Sequence, residues 1–408
     1  MPIDRAAPAR CPVAAVILIC CFTTAGALPR AAAAAAAVEN PFAPDLPEPG
    51  SVEKIKQYTT DARYLPISVA YVPESREVPS PEEVIGHIAG AAGELSDTAT
   101  VIKYFRALDA ASDRVVVRTL GRSEEGREII LAAIGDEAVL EQLDRYRADT
   151  AALADPRSTD RAAMERIVGR ARPVYYLNGG LHSPETGSPE MLMELAYRLA
   201  VSERPAIKRI RENVIVLINP VSEPDGRDRV VQWYYRHLKG KTDWDEIASD
   251  GLLSPPYWGH YIFHDNNRDG IQITAKLTEA VETMYWDFHP TVIHDLHESL
   301  PLLYIMTGHG PYSEAIDPVT IAEWSQMALN EVGQLQAQGL PGVWTWGFWD
   351  GWWPGYLFSF ANNHNSIGSY RRGACVVQAR FRFPLSNRAC GFPAHGLPMV
   401  FTVVACAG

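Results

Sequence analysis

Short runs of β-branched and aromatic residues alternate with longer amphipathic stretches along most of this chain. Residues 174–177 and 214–218 read as buried strands, 291–294 as a third and shorter one, and 302–306 as a fourth. Helical spacing is expected over 158–169, 188–200, 271–287 and 317–336. Nearer the start, the Ser80 to Glu83 stretch is a capping box that opens a helix, and 99–111 reads as another. Residues 114–118 and 128–134 form two strands joined through Gly121 to Gly126, a hairpin at a sheet edge. This alternation predicts an α/β fold: a mixed, largely parallel twisted sheet with helices on both faces and no internal repeat.

Polar residues concentrate where these strands end. After 174–177, a Gly179-Gly180 turn leads to His182 and Glu185, and Ser188 and Pro189 suit the N-cap and first turn of the next helix. After 214–218 comes the turn that ends in Glu223, Pro224, Asp225 and Gly226, and after 291–293 come His294, Asp295, His297 and Glu298. Such strand-to-helix handovers are the usual location of sites in α/β sheets. A His-x-x-Glu pair alone is weak in a chain of 11 histidines; three strand-end clusters are a stronger signal. Two ligands from one turn and a third histidine from a distant strand suit a catalytic zinc, which keeps its fourth position open. Strand alternation puts His294 with the core face and His297 with Asp295 on the other, so His297 is the preferred ligand and Asp295 its orienting acceptor.

As a set, in this order, these motifs resemble the zinc metallocarboxypeptidases of the carboxypeptidase A type, over roughly residues 95 to 370. His182 and Glu185 match the first element, and Glu223 to Gly226 matches an Asn-Pro-Asp-Gly turn with Glu in place of Asn. Trp233 and Arg236 resemble a Trp-Arg element with two residues interposed. Asn267-Arg268 and the Asp295 to His297 triplet match the remaining two. The resemblance implies a zinc carboxypeptidase-like fold and one Zn2+ held by His182, Glu185 and His297. It implies that Arg236 stabilises the oxyanion, that Asn267 and Arg268 clamp the terminal carboxylate, and that peptide or protein C-termini are hydrolysed by metal-activated water. Peptidoglycan stem peptides would present the same carboxylate. The stretch from Asp265 to Gly270 imitates the start of a calcium loop, but position twelve, where such a loop needs a bidentate Glu, is Lys276.

The pattern then breaks. The resemblance calls for a glutamate general base well downstream of His297, yet residues 362–373 hold no carboxylate and Asp350 is the last acidic residue of a chain with 49. Cys375, Cys390 and Cys406 and the arginines at 371, 372, 380, 382 and 388 appear where the acids stop. The expectation is a frameshift or truncation near residue 369, with the base-carrying strand lost. Glu298 is a poor substitute, because a strand neighbour of a ligand points away from the metal. Loss of a general base costs typically ~10² to 10⁴-fold in rate, so a catalytically impaired zinc-binding remnant is the competing reading.

Four segments follow: 1–38, a signal peptide and Ala-rich spacer; 39–94, a lead-in; 95–368, the catalytic domain; and 369–408, a divergent acid-free tail. Arg5 and Arg10 before the apolar 12–22 run, with small residues at 25–27, read as an export signal and predict a periplasmic or extracellular protein with no stable membrane span after cleavage. A formal charge of −12 argues against nucleic acid as a partner.

Overall fold

The computed structural model describes residues 40–373, except 60, 241–260, 263, 299–302, 307–309, 311 and 346–350. The expected signal and spacer and the tail beyond Gly373 lie outside the described residues. In chain order the helices are α1 (Ser51–Tyr58), α2 (Pro81–Ile85), α3 (Thr98–Ala111), α4 (Glu137–Leu140), α5 (Leu143–Ala154), α6 (Arg161–Val168), α7 (Gly187–Val201), α8 (Pro205–Asn213), α9 (Pro224–His237), α10 (Lys276–Phe288), α11 (Pro318–Ala337) and α12 (Leu357–Asn362). The strands are β1 (Val115–Arg122), β2 (Glu128–Ile134), β3 (Val174–Asn178), β4 (Ile215–Asn219), β5 (Val292–Glu298), β6 (Leu303–Ile305), β7 (Val343–Trp344) and β8 (Ile367–Gly373).

The strands form one eight-stranded mixed sheet in the order β1-β2-β4-β3-β5-β8-β6-β7. Its centre is parallel: β3 pairs with β4 and β5, and β5 with β8. The β1–β2 hairpin closes one edge antiparallel, as its alternating pattern predicts. Helices cover both faces. One face buries Leu192, Met193 and Ala196 of α7 with Phe105 and Leu108 of α3. The other buries Val281, Met284 and Phe288 of α10 under Tyr176 and Leu217. Burial of side chains this size contributes about 1.5–3 kcal/mol each, and this two-sided cover fixes where the strand ends lie.

Several boundaries differ from the sequence expectation. α7 begins at Gly187, with Thr186 in the cap position and no side-chain cap. The hydroxyl of Ser188, expected as the N-cap, instead accepts the Gly180 N–H at 3.0 Å, which pins the preceding turn to the helix. α10 starts at Lys276 and not at 271, because Asp269 accepts the Thr274 and Ala275 amides and holds the approach as a loop. The third strand runs through the polar cluster to Glu298, so His294, Asp295 and His297 are strand residues. The first residues of the expected divergent tail, up to Gly373, belong to β8, which pairs in parallel with β5 and holds no carboxylate.

The lead-in is tied to α7 by buried bonds. Asp45 accepts the Tyr71 and Ser202 hydroxyls and the Glu203 amide. Glu190 accepts the Gly90 and Ser96 amides at 2.9 Å each.

Candidate metal centre

Two parallel strand ends and one loop converge on a single point. The turn after β3 carries His182 and Glu185, and it can pass so close to the neighbouring turn only through glycine. A Cβ on Gly179 would come within 2.5 Å of Leu192 and 2.9 Å of the Pro220 carbonyl, and Gly180 has φ +65°. β5 delivers Asp295 and His297, and the loop before α10 delivers Asp265 and Asn267.

His182, Glu185 and His297 each offer a ligand atom, all within 4.8 Å of one another. Nδ1 of His182 and Nδ1 of His297 each lie 2.9 Å from one oxygen of Glu185. Four donors on a tetrahedron around zinc sit about 3.3 Å apart, given Zn–N near 2.0–2.1 Å, so the spacing fits. Both imidazoles turn the opposite nitrogen to a carboxylate: His182 Nε2 to Asp265 Oδ1 at 2.8 Å, and His297 Nε2 to Asp295 Oδ2 at 2.7 Å. A hydrogen bond on one ring nitrogen fixes which nitrogen is left to ligate, and here it leaves both Nδ1 atoms for the cation. The Asn267 carboxamide, 3.2 Å from His297 Nε2, packs beside a proton that Asp295 already accepts.

The electrostatics ask for positive charge. Burial alone would raise the Glu185 carboxyl, but the neighbouring His297 and His182 outweigh it and hold it down at about 2. Burial would lower His297, yet Asp295 and Glu185 outweigh that and push it up to about 10. His182 is raised against its own burial by Glu185 and Asp265, and Asp265 is lowered against its burial, to about 2, by His182. Three carboxylates around two imidazoles therefore require about two compensating positive charges, which a dication between neutral imidazoles supplies.

The remaining expected site residues divide. Arg268 lies in the loop that carries Asp265 and Asn267: its guanidinium meets the Tyr356 ring at 4.4 Å and the Trp353 ring at 5.6 Å, and it donates to the Asn267 carbonyl at 2.7 Å. Asn267 is buried, and its Oδ1 accepts the Leu357 amide at 2.9 Å. It anchors the start of α12 through its oxygen, while its amide nitrogen faces His297. Arg236 is exposed in the last turn of α9, twelve residues and so roughly 18 Å along the helix from its start. Glu298 Oε1 accepts the first amide of α7, that of Gly187, at 2.8 Å.

Two participants escaped sequence reasoning. Asp265 was legible only as part of an imitation calcium loop; its contact with His182 spans 83 positions and has no local signature. Glu223, read only as a departure from a motif, is a buried carboxyl that accepts the Ser183 hydroxyl and the Gly226 amide, each at 2.7 Å. Burial is the main cause that pushes it up to about 7. In β8, Arg371 and Arg372 stand in register with Leu296 and with the ligand candidate His297 on the neighbouring strand.

Residues 101–247 match the family model described as zinc carboxypeptidase. No curated protein matches the chain. Among solved structures it is similar to a metallo-carboxypeptidase from Burkholderia cenocepacia at 14% identity, covering 69% of this chain and 60% of that one, TM-score 0.46. It is similar to a metallo-carboxypeptidase from Pseudomonas aeruginosa at 12% identity, covering 68% and 58%, TM-score 0.40. A carboxypeptidase A from Helicoverpa armigera matches at 13% identity, covering 72% and 70%, TM-score 0.44. The chain thus spans about six tenths of the length of the bacterial structures it matches.

Proposed function

From the match of residues 101–247 to the zinc carboxypeptidase family model and the geometry of the cluster, we propose that the chain is a member of that family, with an exported metallocarboxypeptidase site that takes one zinc and receives the C-terminal end of a peptide. The observation that carries this reading is the paired arrangement of two histidines, each with Nδ1 on Glu185 and Nε2 on an aspartate. His182, Glu185 and His297 would hold the ion. The chemistry zinc supplies when bound is acidification of a water and polarisation of a carbonyl.

The chain's own residues set the substrate's position. Arg268 is the cation beside the cluster, and its planar fork suits a terminal carboxylate, which it can bind bidentately. The rings of Tyr356 and Trp353 leave its edge as the binding surface. Asn267 acts through structure: it holds α12 and with it the aromatic pair against the 265–270 loop. Export rests on the composition of the first 27 residues, and a peptidoglycan stem peptide would present the same carboxylate to Arg268.

One observation favours a second reading, a metal-binding protein of impaired catalysis. No Asp or Glu follows Asp350 in the sequence, and the strand beside the ligand strand carries Arg371 and Arg372 at the register of Leu296 and His297. Hydrolysis measured on the full chain beside its zinc content separates the two. One zinc per chain with release of C-terminal residues from peptides supports the peptidase. One zinc with no release beyond buffer supports the impaired form. No zinc at all overturns both.

A further inference from the structure

The parallel strands β4, β3 and β5 end in a row of polar residues, of which the metal-binding reading uses only Asp295. Asn219, Asn178 and Asp295 are direct register partners across the three strands. All three are fully buried, so each must find hydrogen-bond partners or carry the cost of burial alone. All but the Asn219 carboxamide oxygen find them, in one another and in neighbouring side chains. The Asn219 carboxamide donates to the Ser222 hydroxyl at 3.1 Å, and Ser222 donates to Asn178 Oδ1. Tyr176, also buried, donates its hydroxyl to the same Oδ1 at 2.8 Å. With two hydroxyls on its oxygen, Asn178 has its amide nitrogen facing Asp295, and that nitrogen donates to Asp295 Oδ1 at 2.9 Å. Asp295 Oδ2 is then committed to His297 Nε2.

The geometry points to Asn178 as a positioning residue for the metal centre, acting through Asp295 on His297 and held in place by Tyr176 and Ser222. The argument is directional. A carboxylate gripped by one imidazole alone can rotate about its Cβ–Cγ bond. A second donor on the other oxygen fixes its plane, and so fixes the imidazole that it orients. Because Asn178 has its own oxygen held by two hydroxyls, its carboxamide cannot flip to present oxygen to Asp295. Donation runs from Asn219 through Ser222 and Asn178 to Asp295, which also accepts the Nε2–H of His297, and that last bond leaves Nδ1 of His297 as the ring atom that can ligate. Ligand orientation by outer residues is worth typically 10–100-fold in metal affinity.

This inference rests on the metal-binding reading, and the test keeps the two apart. Zinc affinity of the full chain is measured by competition with a chromophoric chelator, and the visible absorption of the Co2+-loaded chain reports ligand geometry. The variants are Asn178→Leu, Ser222→Ala, Tyr176→Phe, and Tyr197→Phe as a control whose hydroxyl bonds the Pro73 carbonyl on the far side of α7. The expected result is a loss of about tenfold or more in zinc affinity for Asn178→Leu, a smaller loss for Ser222→Ala and Tyr176→Phe, an altered Co2+ spectrum in each, and no change for Tyr197→Phe. If the unaltered chain binds zinc and all three ladder variants bind it as tightly, with the same Co2+ bands, the positioning role is overturned while the metal site stands. If the unaltered chain binds no zinc, the underlying reading fails first. Should Asn178→Leu not fold, Ser222→Ala and Tyr176→Phe decide, since each removes one hydroxyl and keeps the packing.

Discussion

Asp265 Oδ1 lies 2.8 Å from His182 Nε2, on the side of the ring opposite to Glu185. The contact does for the first histidine what Asp295 does for the second: it commits one nitrogen and leaves the other for a cation. Replacing Asp265 by Asn keeps the shape and removes the charge-assisted bond. Zinc affinity is expected to fall 10–100-fold, read as an earlier release to a chelator. An unchanged affinity would mean that the His182 ring is held by its surroundings and not by Asp265.

Glu185 bridges both imidazoles, so its removal dismantles the centre at once. In the unaltered chain, zinc at 100 times its dissociation constant should stabilise by about 2.7 kcal/mol, a rise of several degrees in Tm for a domain of this size. Glu185→Gln should abolish that rise while unfolding cooperatively on its own. Differential scanning calorimetry with and without zinc reads both outcomes. A zinc-dependent rise that survives in Glu185→Gln would place the metal elsewhere.

The two arginines taken from the sequence as site residues should now behave differently. Arg236 is exposed at the far end of α9, and Arg236→Ala is expected to leave binding of N-acetyl-phenylalanine unchanged. Arg268→Ala should lose at least tenfold in that binding, and Arg268→Lys should recover little, since an ammonium has no planar fork to match a carboxylate or lie along two rings. N-acetyl-phenylalaninamide, which lacks the charge, should not distinguish the variants. Calorimetric titration makes the comparison. Equal losses at 236 and 268 would contradict the placement of α9.

These cases show which parts of the molecule were legible in the sequence. Strands β3, β4 and β5 were readable because buried parallel strands are continuous apolar runs, and the three metal-ligand candidates stood at their ends. Arg236 came from a motif with two interposed residues matched by residue type, and a two-residue shift turns a helical position by about 200°. Asn267 has the expected residue type and place, but its side chain is taken up by the Leu357 amide. Asp265, Asn178 and Glu223 were invisible for another reason. Each acts through a contact between segments 40 or more positions apart, and nothing local marks a polar residue as the partner of a distant one.

Glu223 supplies a pH test independent of metal. Its carboxyl is buried against Ser183 and the start of α9, and burial raises it to about 7 from an ordinary value near 4.5. The folded chain therefore holds this proton more tightly than the unfolded one. Below about pH 4.5 both states are protonated and Glu223 carries no penalty. As pH rises from 4.5 to 7 the unfolded state ionises first, and stability falls; above 7 the loss is complete, on the order of 3 kcal/mol at 1.36 kcal/mol per unit. Glu223→Gln cannot ionise, and its side-chain oxygen can still accept from Ser183 and Gly226. It should be more stable than the unaltered chain at pH 8, close to it at pH 5, and correspondingly flatter between the two. Urea unfolding of the zinc-free chain at both pH values measures the difference. A variant that is less stable at pH 8 would show that the ionised carboxylate, held by its two donors, is the form the fold prefers.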